Sequence, residues 1–143
     1  MVPVTKARFT VLLVDDSEDD RFFMRRALCN NPRLFVVGEA CDGEDAIAYL
    51  SGQAVFSDRE KHPFPDVLLL DLKMPRKTGY EVLQWLQTQA FSDLRVIVVS
   101  GSALPEDVAR SLALGADAYH KKPALKQEQE AIVCEIESLL DRP

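Results

Sequence analysis

The chain has 143 residues, 47% of them hydrophobic and 28% charged, which fits one soluble globular domain with a substantial core and leaves no room for a second. A formal net charge of -6 disfavours a nucleic-acid surface, because phosphate contacts need a basic patch, and points to proteins as partners. No apolar run approaches the roughly 20 residues that span a bilayer, and Met1 to Thr10 holds no signal-peptide core, so the expected compartment is the cytoplasm.

Apolar runs of strand length alternate with amphipathic stretches of helix length, the pattern of a parallel sheet with helices on both faces. Phe9 to Val14 is the first predicted strand. Glu18 to Asn30 follows as a helix with Phe22, Phe23, Ala27 and Leu28 facing inward, broken by Pro32. Leu34 to Ala40 is the second strand, and Gly43 to Leu50 lies in the second helix, with Ala46, Ile47 and Leu50 at helical spacing. Ser51 to Pro65 reads as a polar connection. Val67 to Leu70 is the third strand, and Thr78 caps a helix from Gly79 to about Gln89, whose inner stripe is Val82, Leu83 and Leu86 with Trp85 at its flank. Arg95 to Ser100 is the fourth strand. Pro105-Glu106-Asp107 opens the fourth helix and Gly115 stops it. A short fifth strand, Asp117 to Lys122, precedes a last helix, Gln127 to Leu140, with Ile132, Val133, Ile136, Leu139 and Leu140 apolar. Cys29, Cys41 and Cys134 lack metal-ligand spacing and read as reduced thiols.

The strand ends carry the chemistry. Asp15-Asp16 follows the first strand, Asp71 the third, Ser100 closes the fourth, and Lys122-Pro123 follows the fifth. In open sheets of this type ligands bind outside the carboxyl ends of the strands, where strand order reverses. Each group alone has a plain structural role open to it. Asp16 or Ser17 can cap the first helix, with Glu18, Asp19 and Asp20 complementing its dipole. Ser100 can be an ordinary strand-end hydroxyl, and Lys122 a solvated charge. Their joint occurrence at four strand ends favours a reactive site.

Three carboxylates gathered within a few ångströms repel by roughly 4 kcal/mol per close pair at an effective dielectric of about 20. That implies a divalent cation, and Mg²⁺ suits hard oxygen ligands that include one or two carboxylates, a carbonyl and a phosphate oxygen. With the cation and the Lys122 ammonium offsetting its charge, an incoming phosphoryl group reaches Asp71 and leaves an acyl phosphate.

From Phe9 to Leu140 the chain resembles the receiver domain of two-component response regulators. The resemblance rests on Asp15-Asp16, on Asp71 in Asp-Leu-Lys-Met-Pro followed by Gly79, on Ser100-Gly101, on Tyr119 and on Lys122-Pro123. It implies a flavodoxin-like five-stranded sheet in the order 2-1-3-4-5 and a typically cis Lys122–Pro123 bond. It further implies Mg²⁺ held by Asp16, Asp71 and the Lys73 backbone carbonyl with help from Asp15, catalytic roles for Asp71, Lys122 and Ser100, and a switch at Ser100 and Tyr119. The implied donor is a phosphohistidine on a sensor histidine kinase or phosphotransfer protein, and the implied output is an unnamed downstream protein or a phosphorylation-linked homodimer. The long Ser51 to Pro65 connection and the lack of an effector domain resemble stand-alone regulators that serve bacterial phytochrome-type kinases. The Lys73 ammonium either lies over the phosphoryl oxygens, prolonging the acyl phosphate, or points to solvent.

Other classes fit less well. A haloacid-dehalogenase phosphatase wants a second acid two residues after its nucleophile, where this chain has Lys73. A flavodoxin-like electron carrier needs a hydroxyl-rich phosphate loop, and Asp15 to Asp20 would repel a flavin phosphate. A receiver-like interaction module that is never phosphorylated would not need the full set of site groups.

Overall fold

Successive strand residues point to opposite faces of a sheet, and in this chain both faces are apolar. Val11 and Leu13 face one way, Leu12 and Val14 the other, and none is more than 2% exposed. A sheet buried on both sides is the signature of parallel strands joined by helical crossovers. In the computed structural model, which describes residues 8–141, the chain forms β1 (Phe9–Val14), α1 (Glu18–Cys29), β2 (Leu34–Ala40), α2 (Gly43–Ser51), β3 (Val67–Leu70), α3 (Gly79–Gln87), β4 (Arg95–Ser100), α4 (Pro105–Ala113), β5 (Ala118–Lys121) and α5 (Lys126–Leu140). The expected lack of a signal-peptide core in Met1 to Thr10 lies, as far as residue 7, outside the described residues.

All strand pairs are parallel and the order is β2-β1-β3-β4-β5, as expected. Strand order therefore reverses between β1 and β3, and the ends of those strands deliver Asp15, Asp16 and Asp71 side by side. One core lies under α1 and α5, where Met24, Leu28, Ile132, Ile136 and Leu139 meet Val11, Leu13, Val67, Leu69, Ile97 and Val99. The other lies under α2 and α3, where Ala46, Tyr49, Leu50, Val82 and Leu83 meet Leu12, Val14, Leu68, Leu70, Val96 and Val98. Each fully buried aliphatic side chain stabilises the fold by about 1.5–3 kcal/mol.

Three expectations need correction. Phe22 and Phe23 do not face inward: they are 43% and 54% exposed, and α1 buries Met24 together with the expected Leu28. Those two are one helical turn apart, whereas Phe22 and Phe23 sit on the flank, where Arg25 and Arg26 lie against the Phe22 ring. The Ser51 to Pro65 connection is not simply polar. Ala54–Ser57 forms a 3-10 turn, Phe56 and Phe64 pack on the second core, and Arg59 donates to the carbonyls of Tyr49 and Leu50 at the end of α2. That end has no basic residue of its own, so Arg59 supplies from a distance the cation that favours a helix C-terminus. Of the two candidates for the cap of the first helix, Ser17 takes the role, its Oγ accepting the Asp20 N–H at 3.2 Å, and Asp16 is left exposed. Last, among the described residues no peptide bond is cis, Lys122–Pro123 included. In this arrangement the Lys122 N–H still continues the sheet by donating to the Ser100 carbonyl at 2.7 Å.

Element ends move by one or two residues. The third helix stops at Gln87 and Thr88 takes its C-cap, while Thr78 caps its start by accepting the Glu81 N–H.

Candidate functional site

Asp71 leaves β3 with its backbone N–H on the Val14 carbonyl at 2.9 Å, so the sheet itself sets its position. One carboxylate oxygen accepts the Leu72 N–H at 2.8 Å, and the other lies 3.3 Å from Lys122 Nζ. Asp15 is held by its own N–H on the Ala40 carbonyl and by the Ser17 N–H, which donates to Asp15 Oδ1 at 2.9 Å. Carboxylate oxygens of Asp15, Asp16 and Asp71 all lie within 4.8 Å of one another. The three acids singled out in the sequence thus meet at one point.

Lys122 reaches this point from the end of β5, beyond β4 in the sheet. Its ammonium is 3.0 Å from Asp15, 2.7 Å from Asp20 and 3.3 Å from Asp71. Asp20 is a member of the cluster that sequence reasoning treated only as a helix-dipole partner. The acidic run Glu18-Asp19-Asp20 signals a helix start, and only the folded geometry selects the third acid of that run for the lysine. Arg21 is a second addition, since its guanidinium donates to the Asp15 carbonyl at 2.6 Å and ties α1 to the end of β1.

Burial raises the Asp71 pKa to about 6, the nearby Asp15 charge adds to the rise, and Lys122 opposes it. Asp15 is also raised by burial, against the Ser17 N–H and Lys122. Burial works against the charge on Lys122, yet the carboxylates of Asp20, Asp15 and Asp71 outweigh it and hold the ammonium above its usual range. One ammonium thus serves three acids, with Asp16 beside them. The donor set is hard oxygen with an excess of negative charge, which fits Mg²⁺ or a similar divalent cation and does not fit a soft metal.

Ser100 is 1% exposed at the end of β4, and its Oγ accepts the Ser102 N–H at 3.3 Å. Tyr119, on the neighbouring strand, packs against the second core and donates its hydroxyl to the Ser102 carbonyl at 2.8 Å. The two residues expected to act as a switch are therefore joined through Ser102. The Lys73 side chain is exposed, and its charge helps to hold the Asp107 carboxyl low after the Ser102 and Tyr80 hydrogen bonds. A cavity of about 430 Å³ opens beside the cluster between α1 and the segment after β5, with Phe23, Met24 and Pro123 in its wall.

No helix among the described residues is long and apolar enough to cross a membrane. The model of the response regulator receiver domain matches residues 11–133. The nitrate/nitrite response regulator NarL of Escherichia coli is 36% identical over 110 residues, covering 77% of this chain and 46% of that protein. A protein-glutamate methylesterase/protein-glutamine glutaminase of Geobacter sulfurreducens is 31% identical over 125 residues, 87% of this chain and 30% of that protein. The chain thus spans under half the length of these curated relatives. Among solved structures, the phosphorylated cyanobacterial phytochrome response regulator RcpA superposes with a TM-score of 0.81 at 31% identity, covering 94% of each chain. The Mn²⁺-bound response regulator Rcp1 gives 0.75 at 29% identity, over 94% of this chain and 96% of that one. A carboxylate triad at the strand-order reversal, a lysine shared among its acids and a family match across most of the chain lead to one conclusion: the protein belongs to the response regulator receiver domains of two-component systems.

Proposed function

We propose that the protein accepts a phosphoryl group on Asp71 in a reaction that depends on a divalent cation. The observation that carries this reading is the Lys122 ammonium, 3.3 Å from Asp71 in a cluster of three converging carboxylates. With a pKa of about 6, Asp71 is mostly ionised at neutral pH, as a nucleophile must be. An Asp71 oxygen forms a bond to phosphorus as the phosphorus–nitrogen bond of a phosphohistidine donor breaks, and the imidazole keeps the electron pair. Asp15, Asp16, Asp71 and the Lys73 carbonyl would hold Mg²⁺, which supplies charge neutralisation for the transferred group. Lys122 stabilises the same negative charge with its ammonium. Ser100 and Tyr119 then report the new dianion, and the altered surface controls a protein partner.

The domain acts on itself only: its reaction is its own phosphorylation and dephosphorylation. A sensor histidine kinase or phosphotransfer protein is the proposed donor, consistent with the similarity to phytochrome response regulators. The deciding experiment is intact-mass measurement after incubation with acetyl phosphate or phosphoramidate, with and without Mg²⁺. One phosphoryl group should be added in the presence of Mg²⁺ and none in Asp71→Asn. Labelling of that variant at the wild-type rate would remove Asp71 as the acceptor, and absence of labelling in the wild type would favour an unphosphorylated interaction module.

A further inference from the structure

Between β3 and α3 the chain makes a loop, residues 72–78, that contains a strained position. Arg76 has φ 64, in the left-handed region that side-chain-bearing residues rarely adopt. Its side chain turns back onto Asp42, 34 positions earlier, placing Nε 2.7 Å from Asp42 Oδ2 with Nη2 on the same oxygen. Asp42 is 3% exposed, and its other oxygen accepts the Asp45 N–H at 2.7 Å to cap α2. Among the described residues, Arg76 is the cation paired with this buried acid.

A second anchor lies one residue on. The Gly43 N–H donates to the Lys77 carbonyl at 3.0 Å, and a Cβ on Gly43 would stand 2.4 Å from that oxygen. The loop is therefore pressed on the first turn of α2, an approach that only glycine permits. Neither anchor touches the carboxylate cluster. Both hold the segment that presents the Lys73 carbonyl, three residues before Arg76.

We propose that Asp42 and Arg76 are positioning residues whose ion pair clamps the 72–78 loop to α2 and so sets the divalent-cation affinity of the Asp71 centre. The inference rests on the reading of the Lys73 carbonyl as a metal ligand given under Proposed function. The physical argument is that a carbonyl contributes to a metal centre only when its loop is held in place beforehand. Loss of Arg76 leaves the Asp42 charge buried without its partner, so the loop and the start of α2 must rearrange together.

The test uses the whole chain and two readouts. The first is a magnesium chloride titration followed through the amides of residues 71–74. The second, in metal-free protein, is hydrogen exchange of the Gly43 amide. Arg76→Ala and Asp42→Asn should each weaken Mg²⁺ binding about 10-fold, the lower end of what supporting residues of metal centres contribute, and should speed Gly43 exchange. The double variant should be no weaker than the worse single one, because both remove the same pair. Arg76→Gly separates the causes, since it relieves the backbone and still loses the pair, and it should bind as weakly as Arg76→Ala. Wild-type affinity in Arg76→Gly, or affinity within twofold of wild type in Arg76→Ala, would overturn the proposal and leave the metal reading intact. Failure of the wild type to bind Mg²⁺ would overturn the metal reading and this extension with it.

Discussion

At 4% exposure the Asp71 carboxylate has lost most of its hydration, and burial together with the Asp15 charge raises its pKa to about 6 from 3.8. The folded protein therefore binds protons at Asp71 that the unfolded chain releases between those two values. Stability from this group is complete below about pH 4 and declines as pH rises toward 6, since the unfolded state there holds fewer protons than the folded state. The full penalty amounts to about 3 kcal/mol. Asp71→Asn removes it, so urea melts of metal-free protein at pH 7.5 should show the variant more stable than wild type by about 1–3 kcal/mol. The gap should close at pH 4, and saturating Mg²⁺ should narrow it at pH 7.5 by stabilising only the wild type. A variant less stable than wild type at pH 7.5 would mean that Lys122 compensates Asp71 more fully than burial opposes it.

Among the helices, α3 is built directly against the backbone of the acceptor. A Cβ on Gly79 would lie 2.2 Å from the Asp71 carbonyl oxygen and 2.8 Å from the Leu72 Cα. Backbone cannot yield as a flexible side chain does, so Gly79→Ala should push the helix away and destabilise the fold by about 1–3 kcal/mol. Thermal melts measure the loss, and amide shifts concentrated at residues 71–79 would show that it arises at this contact. Unchanged melting would mean that α3 slides freely. Helix α1 teaches a different lesson about elements. Its inward residues, Met24 and Leu28, lie one turn apart; Leu28 is legible in the sequence, whereas the large aromatic Phe22 and Phe23 mask Met24 between them and the next turn. Hydrophobicity ranks residues, whereas the angle at which a helix meets the sheet decides which of them are covered.

Across the whole molecule, the site is linked to α3 and α4 through polar contacts. Ser100 meets Ser102, Tyr119 donates to the Ser102 carbonyl, and Ser102 Oγ donates to Asp107 at 2.5 Å. Tyr80 of α3 donates to the other Asp107 oxygen at 2.5 Å, with the Arg110 guanidinium 3.9 Å from its ring centre. Burial and the Asp107 carboxylate push the Tyr80 hydroxyl up to about 12, so it remains a donor throughout the physiological range. A change at Ser100 therefore meets α3, α4 and β5 within a few bonds. Beryllofluoride, which stands in for the phosphoryl group on Asp71, should perturb amides from Asp107 to Lys122 in addition to the loops near Asp71. Shifts restricted to those loops would count against a propagated switch, because a ligand moves an equilibrium only through states it binds differently.

Sequence by itself determined the α/β architecture, the strand order implied by the family likeness, and the strand ends that carry Asp15, Asp16, Asp71, Ser100 and Lys122. The ends carrying Asp15, Asp71 and Ser100 are local features: four consecutive apolar residues ending in a polar group read the same in any surroundings. Only the tertiary structure decided that Ser17 rather than Asp16 caps α1, that Asp20 joins Lys122, that Arg59 closes α2 and that Arg76 reaches Asp42. The last three each pair a charged side chain with a group that chain distance does not reveal, from 9 to 102 positions away. Periodicity records which way a residue points relative to its own helix or strand, and a charge finds its partner only after those elements have been packed against one another.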